Sequence, residues 1–224
     1  MNKSNMGRGL VAGVALLGAL AALPGEASAC GGEWYPVMEV DHRPMGIAMA
    51  EKQLEQGKTL DAAATVIRVM PHIKGLKAER STLVARAQRV LAVATARQNG
   101  ALHVGAQVPD YAQGSWLGRT ADARAKNLEW SITALRSVAQ TKKDDPAAST
   151  DLAEALAKVD SHKAEARGIL EKLAKKDLIA SPEGYAVLAD LRQKAGDAKG
   201  QKLALQRCAA MATSQNVCRT SADS

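Results

Sequence analysis

Residues 181–211 read SPEGYAVLADLRQKAGDAKGQKLALQRCAAM, and the order of these residues decides the fold. Ser181 followed by Pro182 is a helix start: a hydroxyl able to cap the first free N–H groups, then a residue whose locked φ suits the first turn. Tyr185, Leu188 and Ala189 fall at helical spacing, and Gly196-Asp197 closes the run. The spacing predicts one helix over Pro182–Ala195 and a second from about Lys199 to Ala212.

The same pattern extends back along the chain. Leu152, Leu156 and Val159 align on a helix over Ala147–Val159, and Ala166, Leu170 and Leu173 on one over Lys163–Lys175. A longer helix, Thr120–Thr141, aligns Leu128, Ile132, Leu135 and Ala139 before Lys142-Lys143-Asp144-Asp145-Pro146 ends it. Glu79–Gln98 places Leu83, Ala87, Val90, Leu91 and Ala94 on one side and Arg86, Arg89 and Arg97 on the other. Two further helices, Pro44–Gln56 and Leu60–Met70, stop at Gly57 and Pro71. One stretch breaks the rhythm. Gly100, Gly105, Pro109, Gly114 and Gly118 punctuate residues 100–119, which also hold His103, Tyr111 and Trp116. A loop of that length inside a domain is either a functional insertion or hides a short element.

Composition agrees with helices. The chain has no Phe, three Trp and three Tyr, so Ala, Leu and Val must build the core. Small side chains suit closely packed helices, whereas a β-sandwich draws on β-branched and aromatic residues.

The helices also repeat. Leu152-Ala153-Glu154 returns as Leu188-Ala189-Asp190, and Leu170 and Leu173 return as Leu205 and Cys208, both at an interval of about 35 residues. With Met49-Ala50, Gly57, Ala62, Val66, Val69 and Pro71 in one unit, the chain resembles the tetratricopeptide-repeat family. Ala134, Val138, Thr141 and Pro146 fit the second helix of another unit, and Tyr185, Leu188, Ala189 and Gly196-Asp197 the first helix of a last one. Pro71 comes about three residues early, Gln201 stands where an Ala belongs, and Val159-Asp160 replaces a turn Gly. The resemblance implies an all-α fold of antiparallel helix pairs over residues 44–212, stacked as a short solenoid and interrupted by the insertion at 100–119. It also implies a concave surface, lined by the first helix of each pair, that holds an extended peptide. Stacking would bury a continuous strip that no single pair can cover, with Ala50, Ala62, Ala134 and Ala189 letting backbones approach.

The two ends carry separate signals. Lys3 and Arg8 precede an apolar run from Leu10 to Leu23, and Pro24-Gly25-Glu26 leads into Ala27-Ser28-Ala29. Residues 1–29 are therefore expected to be an export signal, with an apolar core too short for a permanent anchor. The expected location is the periplasm or outer membrane, or outside the cell. Cys30 at the cleavage point stays open to two readings, plain cleavage or lipidation with membrane association, since Ala27-Ser28-Ala29-Cys30 resembles a lipobox lacking its usual Leu. Residues 30–43 read as an extended lead-in whose Trp34-Tyr35-Pro36 would staple it to the first repeat. Residues 213–224 form a polar tail. Cys208 and Cys218 are expected to pair in an oxidising compartment and pin that tail to the last helix.

The formal charge of +7 favours anionic partners: an envelope protein or peptide, lipid head groups or wall polymer. An export signal argues against nucleic acid. His42, His72, His103 and His162 are scattered, and no Ser or Cys sits in a strained elbow. Glu33, Asp41 and His42 lack the spacing of a metal site, and the scattered glycines of 100–118 lack the Lys-Ser/Thr of a phosphate loop. No enzyme and no cofactor is expected. The candidate partner-binding residues are Arg86, Arg89 and Arg97, Trp130, and Tyr111 and Trp116 in the insertion. For the arginines the alternative is a solvated outer face, and for the aromatics structural packing. The expected function is a non-catalytic protein- or peptide-binding scaffold of the envelope. The alternative is a structural lipoprotein whose basic face docks on an anionic surface.

Overall fold

Ser81, Thr120, Asp145, Ser181 and Asp197 each accept a hydrogen bond from a backbone N–H two or three residues ahead, fixing where five helices begin. The computed structural model describes residues 40–78, 81–105, 108, 110–114 and 116–219. The expected export signal, Cys30, the Trp34-Tyr35-Pro36 staple and residues 220–224 lie outside the described residues.

Among the described residues the regular structure is all helical. In chain order the helices are α1 (Arg43–Glu55), α2 (Thr59–Val69), α3 (Thr82–Arg97), α4 (Asp110–Gln113), α5 (Ala121–Thr141), α6 (Pro146–Leu156), α7 (Lys163–Ala174), α8 (Pro182–Lys194) and α9 (Ala198–Met211). Single 3-10 turns occupy Ile73–Gly75, Asp160–His162 and Gln215–Cys218. Helix α3 begins at Thr82 rather than near Glu79, because Ser81 caps it there.

Four pairs pack along their lengths: α1 with α2, α3 with α5, α6 with α7, and α8 with α9. Each second helix then packs on the next first helix, α2 on α3, α5 on α6 and α7 on α8. The first helices also touch in succession, α1 with α3, α3 with α6 and α6 with α8. The second helices make no comparable contact with one another among the described residues. This is a solenoid-like stack of neighbouring pairs.

Alanine makes the close approach possible. Ala50, Ala62, Ala63, Ala87, Ala94, Ala153 and Ala189 are buried, interleaved with Ile47, Ile67, Leu91, Leu135, Leu156, Leu170 and Leu188. Ala134 is only partly buried at the edge of this core. Gly46 lies so near α2 that a Cβ there would come within 2.7 Å of the Val69 side chain.

The insertion is packed. Leu102, Val104, Val108, Ala112 and Trp116 all join the core, and α4 reaches α2. Leu102 N–H donates to the Trp116 carbonyl at 2.9 Å, closing the segment on itself. Gly100 makes the entry turn at φ 81°, where a Cβ would collide with the Arg124 carbonyl.

Candidate functional site

Where the first helices meet, the contact is ionic. Arg86 of α3 reaches Glu51 of α1, with Nε 2.8 Å from the carboxylate. Arg89 of α3 pairs with Asp151 of α6 at 2.6 Å. Arg97 joins Glu154 of α6 at 2.9 Å and Glu183 of α8 at 2.8 Å. One helical side of α3, carrying three arginines, thus holds α1, α6 and α8. The Ser181 hydroxyl, besides capping α8, donates to Glu154.

Burial sets the protonation of this cluster. Asp151 is 5 % exposed. Desolvation pushes its pKa up to about 6, against the pull of Arg89 and with a push from Glu154. Burial likewise raises Glu183, partly offset by Arg97. For Arg97 burial works downward, but Glu154 and Glu183 outweigh it and leave the guanidinium more firmly charged than usual. In the more exposed pair, the hydrogen bond from Arg86 holds Glu51 below the ordinary carboxylate range.

Beside this seam a cleft of about 540 Å³ opens. Gly57 and Thr59 from the α1–α2 turn, Arg97 and Asn99 at the end of α3, and Glu154, Ala157 and Lys158 at the end of α6 form part of its wall. Ala186, Val187, Asp190 and Lys194 of α8 form another part, and Val217 and Arg219 of the tail complete it. Every first helix or its terminal turn contributes. Lys194 pairs with Asp190 at 2.6 Å, and Lys163 at the cleft edge pairs with Asp160. Lys158 forms no salt bridge among the described residues; burial holds its pKa below the usual lysine range, against the pull of Glu154 and Asp190.

The aromatic candidates separate. Tyr111 on α4 stands 76 % exposed, whereas Trp116 is 1 % exposed. Trp116 and Trp130 meet edge to face, ring centres 4.9 Å apart. Lys74 lies over the Trp116 ring at 4.4 Å and donates to Asn127 Oδ1 at 2.7 Å. Asn127 Nδ2 donates to the Gly100 carbonyl at 2.9 Å, and Trp130 Nε1 donates to the Lys74 carbonyl at 3.3 Å. These groups clasp the insertion against α5, away from the cleft lining. Sequence reading missed Lys74 and Asn127, which are 53 positions apart.

Cys208 and Cys218 lie at disulfide distance, with Cα atoms 5.8 Å apart. No group of three or more His, Cys, Asp or Glu among the described residues is placed to hold a metal ion. Asp41 pairs with Arg43 at 2.8 Å, while Glu33 lies outside the described residues. No described helix is long and apolar enough to cross a membrane. Comparison with protein-family models, curated proteins and solved structures finds no match for this chain.

Proposed function

We propose that this chain is an exported, non-catalytic scaffold of the cell envelope that holds a protein or peptide segment in the cleft beside its first helices. The observation that carries this reading is the asymmetry of the stack. First helices contact one another in succession, while second helices make no comparable contact among the described residues, which bends such an array toward the first-helix side. The cleft of about 540 Å³ opens on that side, with lining from all four pairs or their turns. A recess built from several repeats suits an extended segment that touches each in turn. The likeness to tetratricopeptide repeats supports the same reading, as does the order of contacts from pair to pair. Support for export comes from the sequence of residues 1–29.

Site-specific photocrosslinking in intact cells tests this. A benzophenone side chain at Val187 in the cleft is expected to give a discrete protein adduct, and one at Thr133 on the exposed side of α5 is not. Equal yields at both sites, or none at Val187, would remove the reading.

A further inference from the structure

One wall of the cleft belongs to no helix pair. After α9 the chain turns back through Gln215–Cys218, packs against α8 and α9, and presents Val217 and Arg219 to the recess. The backbone hydrogen bond of this turn is local, from Val217 N–H to the Ser214 carbonyl at 3.2 Å. What ties it to the helices is the link from Cys218 to the buried Cys208, aided by the partly buried Val217.

The cations of the cleft differ in what they already hold. Arg97 is taken by Glu154 and Glu183, Lys163 by Asp160, and Lys194 by Asp190. Lys158 and Arg219 form no salt bridge among the described residues, although Glu154 and Asp190 attract Lys158 through space. They approach the recess from different places, the turn after α6 and the tail.

We infer that Lys158 and Arg219 form an anion-binding subsite for the carboxylates of an acidic peptide, and that the Cys208–Cys218 link makes the subsite redox-dependent by holding Arg219 at the cleft. This rests on the cleft being the binding site proposed above. A recess between helices admits a chain segment, whereas a membrane presents its head groups on a broad front that cannot enter. An arriving carboxylate would add to the pull of Glu154 and Asp190 on the partly buried charge of Lys158, and Arg219 can grip it in a fork. A dithiol reductant opens the gate. It gives two electrons and two protons, becomes a disulfide itself, and leaves Cys208 and Cys218 as thiols. The tail then keeps only its non-covalent packing against α8 and α9, and Arg219 leaves the wall.

The test uses the full chain with Cys30→Ser, so that Cys208 and Cys218 are its remaining cysteines. Fluorescein-labelled hexaglutamate is titrated and followed by anisotropy, with hexalysine and phosphatidylglycerol vesicles as comparisons. The oxidised chain is expected to bind hexaglutamate and neither comparison. Dithiothreitol, Cys218→Ser and Arg219→Ala should each weaken binding roughly tenfold or more, and Lys158→Met should do the same without touching the link. Arg219→Ala preserves the link, so it reads the subsite even if the cysteine variant folds poorly. Equal affinity before and after reduction overturns the redox part while leaving the scaffold reading intact. A Val187 adduct without hexaglutamate binding overturns the acidic-peptide subsite. Vesicle binding that matches hexaglutamate and ignores reduction would make the partner a membrane and overturn the inference.

Discussion

Arg97 of α3 and Glu154 of α6 meet at 2.9 Å with side chains 13 % and 2 % exposed, so a buried charge pair joins the second helix pair to the third. Removing one member strands the other in a medium that solvates it poorly. Arg97→Met would leave Glu154 and Glu183 facing each other with Ser181 as the remaining donor to Glu154. The expected loss is about 3–5 kcal/mol in urea denaturation. The triple change Arg97→Met with Glu154→Leu and Glu183→Leu should recover most of it, because neither carboxylate that Arg97 held is then left unpaired. A single change costing under about 1 kcal/mol would mean the pair behaves as a surface contact.

Asp151 should shape stability against pH. Its folded pKa of about 6 lies above the ordinary 3.8, so the folded chain takes up the proton first. Stability therefore rises as pH falls from about 6 toward 4 and lacks that gain above 6. The charges facing Asp151 are Arg89 and Arg97 from α3 and Glu154 from its own helix. Burial of Glu183 adds in the same direction. Glu51 and Glu171, held low by Arg86 and Arg192, act oppositely: their contribution is present above the usual carboxylate pKa and lost below it. Asp151→Asn should flatten the profile between pH 4 and 6 in urea melts. An unchanged slope would assign the proton elsewhere.

Trp116 should anchor the insertion. Trp116→Ala would empty the space beside Trp130 and remove the ring beneath Lys74, at a cost of about 3–5 kcal/mol. Amide exchange should quicken across 101–118 first, while α8 and α9 stay protected. Uniform loss of protection along the whole stack would show that the insertion is no separate unit.

Gly100→Ala should destabilise twice over. The left-handed backbone costs an L residue about 1–2 kcal/mol, and the added methyl strikes the Arg124 carbonyl. Gly57→Ala, at φ 74° with open space around it, carries the first penalty alone. The difference between the two variants in urea melts measures the collision. Equal losses would show that α5 yields freely at its start.

Helix positions were legible because their signals are local. Ser181-Pro182, Thr120 and Asp145-Pro146 lie within one turn of the backbone they cap, and Gly57, Gly100 and Gly196 mark chain reversals by the geometry that only glycine adopts without strain. The burial of the insertion was not legible. Lys74, Trp116, Asn127 and Trp130 become neighbours only after α3 and α5 pack. The arginine side of α3 was visible as a pattern, but its partners were not. Asp151 and Glu154 stand three apart on α6 and look like solvated charges until α3 places Arg89 and Arg97 opposite them. The cleft was the least accessible of all. It is assembled from five separate stretches, including a tail whose reach depends on a covalent crosslink.

The described tryptophans are both in one clasp, 4.9 Å apart, between the insertion and α5. Ultraviolet emission from these two indoles therefore reports a single address in the array. Melting of the outermost hairpin, α8 with α9, could proceed with that signal dark to it, so a fluorescence transition and a far-ultraviolet dichroism transition need not coincide in this protein.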